Sequence, residues 1–599
     1  MKPKHWIFLS LILLVSALLR VIGWEQVFPK GIGNEPILLR EVDSYYHLRL
    51  IDNMLANFPQ SLRIDQFAAL GGISVGYPPL LSWGVKILTD IVTFFGFHLG
   101  PNVEYLSTFI STLLPVIFGV LSIALIFVLG SLLHSKGAGL IGALLAGVLP
   151  SELLHRSLLG YIDHHIFEVF FLLATVICLL LLEKRKKVLW CLPAGLSIGG
   201  YLLNWAGGLF IVGIILVWIS IKFLVDYFKE GKLETSLYVG TSFSLLTGFL
   251  LSLLLVFTFT DWSISTWIPL VASTVPLVLL FLSKVEDKKV VIGILVIVVL
   301  GTLGFLGWKK DIGVWLLNSL LAVFWGFGST IQEALPTDFL VFFASFGIAF
   351  IFFFLGIWYY RKAPNILFLV LSGILLFAMI GQRRWIYYGA IPVCLFSGIA
   401  IIEMSKQVLP KVQSAVITVC LFFLIIVPIK GTLGIATMRP DLPFQWYETL
   451  TWLRNNTPEP FTDTNAYYKL DVKEEAKYTV LSWWDYGHWI IEIGRRVPLT
   501  SPTWQVLLNT PECKFFLEPL PESRKYIEPL KVKYIIIDGA LVEGKFYAIG
   551  ERNWPKMGPE ETQNYWPTST LKALWEGEPE GFRLIHQYQD VKVFEVLDQ

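Results

Sequence analysis

Long apolar runs fill the first 430 residues of this 599-residue chain, and short polar segments separate them. Windows of about 19 residues predict thirteen helices that are apolar enough to cross a bilayer. Several runs are short or closely spaced, so twelve or fourteen helices remain alternatives. The predicted helices lie near 7–24, 105–133, 138–150, 163–182, 188–203, 208–226, 236–258, 264–283, 290–307, 338–358, 364–381, 385–403 and 412–429.

The distribution of positive charge predicts the orientation of these helices. If Lys2 and Lys4 lie in the cytoplasm, every second connection is also cytoplasmic, and each of those connections carries Lys or Arg. Short basic loops face the cytoplasm in membrane proteins. The first apolar run lacks a small-residue cleavage site, so we expect it to remain as a helix. The outer side then holds loops 25–104, 151–162 and 308–337 and a globular domain at 431–599.

Composition agrees with a polytopic α-helical membrane protein. Hydrophobic residues make up 55% of the chain and charged residues only 16%, against about 25% charged in soluble proteins. The net charge of +1 gives no reason to expect a nucleic-acid partner. Only Cys513 of the five cysteines lies in the polar C-terminal part, so no intrachain disulfide framework is available there, and no CxxC metal pattern occurs. β-branched runs at 533–539 and 591–597 predict strands, so the C-terminal domain should be mixed α/β.

Four polar segments collect at the predicted outer membrane surface. They are LLREVDSYYHLRLID (38–52), HRSLLGYIDHHIFE (155–168), GSTIQEALP (328–336) and GQRRWIYYG (381–389). Charges at a membrane boundary are costly unless they pair, bind a metal or face water. Each segment alone is most often a helix cap or an interfacial ion pair. Their occurrence together on one face favours a functional site.

The side chains in these segments suit a metal and a phosphate. Asp43, Asp163 and His165 offer the oxygen and imidazole ligands that Mg²⁺ or Mn²⁺ accepts. Glu333 would join them if its loop folds back. Arginines at 383 and 384 suit a phosphate or diphosphate.

The segment LSWWDYGHWIIEIG, residues 481–494, concentrates tryptophan and tyrosine around Asp485 in the polar part of the chain. An aromatic anchor at the membrane surface would explain the rings but not an aspartate among them. With this WWDYG motif, DHH at 163–165, TIQE at 330–333 and IIDGALVEGKFYAIG at 536–550, the chain resembles the oligosaccharyltransferase catalytic-subunit family. Its single-subunit members are the archaeal AglB and bacterial PglB types.

The resemblance implies a GT-C glycosyltransferase fold and an enzyme in the cell membrane whose active site and C-terminal domain are extracytoplasmic. It implies a Mn²⁺ or Mg²⁺ cofactor, a lipid-linked oligosaccharide donor, an acceptor polypeptide with Asn-x-Ser/Thr and a monomeric enzyme in the bilayer. The oligosaccharide would pass from a polyprenyl phosphate or diphosphate to the Asn side-chain nitrogen, with inversion at the anomeric carbon.

The resemblance also assigns roles to particular residues. Asp43 and Glu333 would be catalytic and would join Asp163 and His165 in holding the metal. Arg384, with Arg383 as a rival, and Arg156 would bind the donor phosphate. The residues implied in acceptor recognition are Trp483, Trp484, Asp485, Tyr486, Gly487, Asp538, Lys545, Ile549 and Thr330. The spacing between Asp538 and Lys545 exceeds that of the short eukaryotic DK motif. The match to that motif therefore supports the role of Asp538 less than the roles of Lys545 and Ile549.

Two other classes of protein compete with this interpretation. Another lipid-linked sugar transferase of the same architecture, such as a protein O-mannosyltransferase or a lipid A aminoarabinose transferase, would lack the TIxE and WWDYG motifs. A transporter or flippase would carry polar residues near the middle of the membrane and internal repeats. Here the polar groups lie at one surface, which counts against transport.

Overall fold

A computed structural model describes residues 3–257, 264–308, 332–502, 509–552 and 556–597. Within these ranges every one of the thirteen predicted apolar segments overlaps a helix, and two of the segments contain a bent pair of helices. The helices are Pro3–Val21, Val103–Leu133, Lys136–Val148, His165–Arg185, Cys191–Asn204, Leu209–Val225, Thr235–Ser252, Ile264–Leu282, Lys288–Trp308, Phe339–Phe346 with Ala349–Tyr360, Ile366–Gly381, Ile386–Ser405, and Gln413–Ile426 with Ile429–Ala436.

Length and hydropathy identify six of the described helices as candidate membrane spans, or up to eight if each bent pair is one span. The bends measure 88° in the pair 339–360 and 50° in the pair 413–436. Four further apolar helices are shorter than 18 residues. The predicted α-helical membrane fold is therefore confirmed, whereas the count of thirteen spans stays a prediction.

The helix Ile386–Ser405 lies at the centre of the membrane part, where 94% of its apolar window is buried. Small residues allow its close contact with the helix Lys136–Val148. A side chain at Gly398 would lie 2.5 Å from the backbone oxygen of Ala138, so the two backbones nearly touch. Arg384 lies in the short turn Arg383–Trp385 that directly precedes this helix.

The connection 25–104, the first of the predicted outer loops, contains two helices that the apolar windows did not reveal. They are Val42–Asn57, which we call the first-loop helix, and Leu80–Phe94. Two short strands, β1 (Ile64–Asp65) and β2 (Ile73–Ser74), pair antiparallel between them. Hydropathy windows detect continuous apolar runs, but the first-loop helix interleaves polar and apolar side chains and buries both kinds. Its Arg49, for example, contacts Asp65 at 3.1 Å.

The C-terminal part is mixed α/β, as predicted. Its sheet consists of β3 (Thr479–Leu481), β4 (Val532–Ile537), β5 (Phe582–Tyr588) and β6 (Val591–Val596). The strand order is β3-β4-β6-β5, with β3 and β4 parallel and the other pairs antiparallel. The predicted strands at 533–539 and 591–597 are confirmed as β4 and β6. Around the sheet lie helices Phe444–Asn456, Gly487–Glu492, Asn509–Leu517, Gly539–Glu543, Phe546–Arg552, Pro559–Tyr565 and Thr570–Glu576.

The parallel pairing of β3 with β4 brings two distant motifs together. Both strands end at the same edge of the sheet, where ligand sites of parallel sheets commonly lie. WWDYG at 483–487 follows β3, and Asp538 follows β4 directly. Residues separated by about fifty positions in the chain therefore meet at one edge.

Candidate active site

The first-loop helix carries Asp43 in its first turn and His47 one turn later, on the same face. The carboxylate of Asp43 is 40% exposed. The imidazole of His47 is buried and lies 3.2 Å from Asp163 Oδ1. His47 was not predicted from the sequence, although its spacing of four residues from Asp43 on a helix could have identified it.

Asp163 lies just before the helix His165–Arg185, where the positive end of the helix dipole favours a carboxylate. Its Oδ1 accepts a hydrogen bond from the His164 backbone N–H at 2.6 Å, and its Oδ2 lies 3.1 Å from His165 Nε2. His164 belongs to two trios whose ligand atoms lie within 4.8 Å of one another, and either trio could hold a metal ion. The trios are His47, Asp163 and His164, and His164, His165 and Glu168.

Glu333 lies in the short turn Gln332–Ala334 and faces two arginines. Arg156 Nη2 lies 2.8 Å from Glu333 Oε2, and Arg384 Nη2 lies 3.6 Å from Glu333 Oε1. Arg383 instead contacts Asp338 at 3.0 Å. The structure thus separates the two candidate arginines and directs Arg384 towards Glu333. Thr330 and Ile331 of the TIQE segment lie outside the described residues.

One cavity of about 570 Å³ receives side chains from all four polar segments. Its lining includes Asp43, His164, His165, Glu333 and Arg384. Aromatic side chains complete the wall; they include Tyr77, Trp205, Trp385 and Tyr387. Residues that span more than 340 positions of the chain are therefore gathered around a space large enough for part of a substrate.

The WWDYG segment forms a turn beyond β3 and contacts the segment 536–550. Lys545 Nζ lies 3.6 Å from Asp485 Oδ2 and 4.3 Å from the centre of the Tyr486 ring. The Tyr486 hydroxyl donates to Asp538 Oδ2 at 3.1 Å. Trp446 donates to the same oxygen at 2.8 Å. Burial raises the pKa of Asp538, and these donors oppose that rise by stabilising the carboxylate.

Gly487, the last residue of WWDYG, permits a close backbone approach. A Cβ there would lie 2.4 Å from the Thr500 carbonyl oxygen, closer than any side chain tolerates. The turn is therefore pressed against the segment around Thr500. This contact gives a physical reason for glycine at this place.

Tryptophans form the other wall of the turn. Trp483 is buried, and the guanidinium of Arg552 lies 3.4 Å from the centre of the Trp484 ring. The buried Trp484 Nε1 has no hydrogen-bond partner among the described residues. Ile549 is 0% exposed in the helix Phe546–Arg552, so its contact with an acceptor stays a prediction.

His488 connects the WWDYG turn to the cavity lined by Asp43, Glu333 and Arg384, which we call the charged cavity. Its Nδ1 lies 3.2 Å from Asp43 Oδ1, and its ring stacks on Tyr46 with centroids 4.9 Å apart. Asp43 lines the cavity. No role was predicted for His488, although it directly follows WWDYG in the sequence.

Comparison with known proteins identifies the family. Residues 10–306 match the model of the N-terminal region of oligosaccharyl transferase STT3. Residues 443–541 match the model of the AglB core domain. The two models together match about two thirds of the chain, and the second includes the WWDYG turn and Asp538.

Individual relatives agree with this assignment. The chain is 27% identical to dolichyl-phosphooligosaccharide-protein glycotransferase 3 of Archaeoglobus fulgidus, over 91% of this chain and 71% of that protein. Its fold is similar to the crystal structure of an A. fulgidus oligosaccharyltransferase in the apo form, with a TM-score of 0.86 and 23% identity over 98% of this chain and 80% of that one. Other structures of A. fulgidus oligosaccharyltransferase contain a dolichol-phosphate with an inhibitory peptide, a tethered peptide with an NVT sequon, or zinc and sulfate.

ArnT of Cupriavidus metallidurans shares the fold more distantly. The TM-score is 0.50 and the identity 10%, over 99% of this chain and 98% of that one. This likeness concerns the fold alone and agrees with the predicted GT-C architecture. The two family models carry the assignment, and the chain belongs to the STT3/AglB family of oligosaccharyltransferases, which are glycosyltransferases.

Proposed function

We propose that the protein transfers an oligosaccharide from a dolichyl-type phosphate or diphosphate to the Asn side chain of Asn-x-Ser/Thr sequons, inverting the anomeric carbon. The name of the 27% identical relative and the dolichol-phosphate and NVT peptide bound to similar structures support this reaction. The active site and the C-terminal domain would lie on the extracytoplasmic side of the cell membrane. The basic cytoplasmic connections support this orientation. We further propose that the enzyme acts as a monomer.

The contact between His488 and Asp43 carries the proposal. It joins the WWDYG turn to the charged cavity across 3.2 Å. In an extended peptide two residues span about 7 Å. A Ser or Thr bound at WWDYG would therefore place the Asn two positions earlier beside Asp43. An aromatic membrane anchor would need no such contact with a carboxylate in the cavity.

The acceptor nitrogen needs activation because the lone pair of a carboxamide is delocalised. Asp43 and Glu333 would accept hydrogen bonds from the two amide N–H bonds and hold the group twisted, which restores electron density to nitrogen. Glu333 currently contacts Arg156 and Arg384. The phosphate of the donor would pair with these two guanidiniums, which would neutralise its charge. Glu333 would then be free to accept a hydrogen bond from the amide.

The donor groups in and beside the cavity fit a divalent cation. Asp43, Asp163 and Glu333 offer hard carboxylate oxygens, and His165 Nε2 lies 3.1 Å from Asp163 Oδ2, so two of the four ligands already converge. We propose that these four residues hold Mn²⁺ or Mg²⁺. Such an ion supplies positive charge that stabilises a leaving phosphate. His164 contacts the same carboxylate and belongs to both candidate trios, so it is an alternative ligand to His165.

The WWDYG turn offers groups for a hydroxyl. Trp484 Nε1 has no partner among the described residues, and Asp485 is 33% exposed beside Lys545. An acceptor lacking the hydroxyl would leave the buried Trp484 Nε1–H unpaired, and unpaired buried groups discriminate strongly. We therefore propose that Trp483, Trp484 and Asp485 set the requirement for Ser or Thr, with Tyr486, Gly487, Asp538 and Lys545 holding the turn.

One experiment tests the proposed reaction. Purified protein in detergent would be incubated with Mn²⁺, a lipid extract that contains dolichyl-linked oligosaccharide and a fluorescent Asn-x-Thr peptide. We expect a glycopeptide whose mass increment lies on the Asn, and no product from matched Gln-x-Thr or Asn-x-Ala peptides. Sugar found on Thr, or equal transfer to all three peptides, would overturn the proposal.

A further inference from the structure

Glu512 is a buried carboxylate that contacts the backbone of the WWDYG turn. It lies in the helix Asn509–Leu517 and is 1% exposed. Its Oε1 accepts a hydrogen bond from the Trp484 backbone N–H at 3.1 Å. Its Oε2 accepts one from the Thr500 hydroxyl. One side chain therefore ties the middle of WWDYG to the neighbouring segment.

Two further contacts hold the same part of the turn. Gly487 lies so close to Thr500 that a Cβ would come within 2.4 Å of its carbonyl oxygen. Arg552 lies over the Trp484 ring at 3.4 Å. The backbone, the ring and the end of the turn are thus each restrained by a different group. Among these restraints, Glu512 holds the backbone N–H of Trp484, in the middle of the motif.

We propose that Glu512 is a positioning residue for acceptor recognition: it holds Trp484 and Asp485 in the geometry that binds the sequon hydroxyl. This inference rests on the proposed function. Without this hydrogen bond, the backbone N–H of Trp484 would be buried and unpaired. The turn could then move so that this donor finds another acceptor. The hydrogen-bonding groups of Trp484 and Asp485 would then no longer converge on one hydroxyl.

The environment of Glu512 indicates which substitution should preserve its role. Burial raises the pKa of Glu512 to about 8, although Thr500 and the Trp484 N–H favour ionisation. Burial therefore favours the neutral carboxyl, and a neutral glutamine of equal size can replace it. The amide oxygen of glutamine would accept from Trp484, and its NH₂ group would donate to the Thr500 oxygen.

The test compares Glu512→Ala with Glu512→Gln in the full-length enzyme. Loss of one buried hydrogen bond should raise the KM for an Asn-x-Thr peptide about tenfold, with kcat at saturating peptide changed by less than about twofold. Glu512→Gln should stay within about twofold of the wild type in KM. Glu518→Ala is the matched control. Glu518 directly follows the same helix, and its carboxylate accepts a hydrogen bond from the Tyr526 hydroxyl.

Peptide binding supplies a second readout that a merely structural role would not move. Anisotropy of fluorescent peptides would give the affinity ratio of Asn-x-Thr to Asn-x-Ala. We expect this ratio to fall about fivefold or more in Glu512→Ala and to persist in Glu512→Gln and Glu518→Ala. If Glu512→Ala does not fold, Thr500→Val, which removes one partner of the carboxylate, should lower the ratio in the same direction.

The outcomes separate this inference from the proposed function. A wild type that does not distinguish the two peptides would contradict the proposed recognition itself. A wild type that distinguishes them, together with unchanged ratios in Glu512→Ala and Thr500→Val, would overturn only the role of Glu512. An equal loss of kcat in Glu512→Ala and Glu512→Gln, with KM unchanged, would also overturn it.

Discussion

The charged cavity and the WWDYG turn differ in how their polar groups are satisfied. In and beside the cavity, charges contact charges: Asp163 touches the imidazoles of His47, His164 and His165, and Glu333 faces two guanidiniums. In the turn, rings dominate and the ion pair between Lys545 and Asp485 is loose, at 3.6 Å. A network of charges can adjust to the charge that develops on a leaving phosphate. A ring-lined turn with few polar groups can instead recognise one neutral hydroxyl.

The two regions also differ in how the chain assembles them. The cavity combines four segments, and the pairs it depends on, such as Arg156 with Glu333, are 177 positions apart. The turn is built on the ends of the neighbouring strands β3 and β4. Removing one charge from the cavity should therefore affect the chemistry, whereas removing one group from the turn should affect the choice of acceptor. Four predictions test this difference, in order of decreasing effect.

Metal removal should have the largest effect, because it acts on the cavity alone. A bound divalent ion contributes several kcal/mol to stabilising a leaving phosphate, or roughly 10³-fold in rate. EDTA should abolish transfer, and Mn²⁺ or Mg²⁺ should restore it, as measured by glycopeptide formation. Peptide binding in EDTA, measured by anisotropy, should keep its preference for Asn-x-Thr over Asn-x-Ala.

Asp163→Ala sharpens the same test. It should raise the metal concentration that gives half-maximal activity, and Mn²⁺ binding followed by electron paramagnetic resonance should weaken in parallel. Asp90→Ala, which removes an exposed carboxylate of the first outer loop paired with Lys86, should change neither. Full activity in chelator would exclude the proposed cation.

Glu333→Gln should act on turnover more than on binding. The substitution keeps the size of the side chain but removes the charge that faces Arg156 and Arg384. Turnover should fall roughly 10²-fold, whereas the Kd for peptide should change by less than about threefold. Glu152→Gln is the matched control, because Glu152 also contacts Arg156 (3.2 Å) but does not line the cavity. Comparable losses in the two variants would show that the pairing of Arg156 alone matters.

The membrane helices and strands β4 and β6 could be predicted because continuous apolar runs record them directly. The first-loop helix could not, because its buried polar groups pair with distant partners such as Tyr467, and no local pattern shows such pairing. The WWDYG motif was visible as a local cluster of rings. His47 and His488 were missed because their partners, Asp163 and Asp43, lie far away in the chain. The sequence likewise left Arg383 and Arg384 as rivals, and the contact of Arg383 with Asp338 distinguishes them.

Asp485→Ala should alter the choice of acceptor. The loss of one hydrogen bond to the sequon hydroxyl costs roughly 1–3 kcal/mol, or about 5- to 150-fold in affinity. The preference for Asn-x-Thr over Asn-x-Ala should therefore flatten, as measured by competition between the two peptides. Asp485→Asn keeps a hydrogen-bond acceptor of the same size and should retain more of the preference. An undiminished preference in Asp485→Ala would mean that this carboxylate only pairs with Lys545.

Ile549→Ala should give the smallest effect, because it concerns one methyl group. Burial of a methyl is worth about 0.8 kcal/mol, so Thr should be preferred over Ser about fourfold if Ile549 touches the Thr methyl. Ile549 is fully buried, and truncating such a residue also leaves a cavity. Ile536→Ala, in β4, creates a similar cavity in the same sheet region and controls for that loss of stability. Competition between Asn-x-Thr and Asn-x-Ser peptides should show a ratio near one in Ile549→Ala and an unchanged ratio in Ile536→Ala. If both variants kept the full ratio, Ile549 would be a core residue, and recognition in the WWDYG turn would depend on the hydroxyl alone.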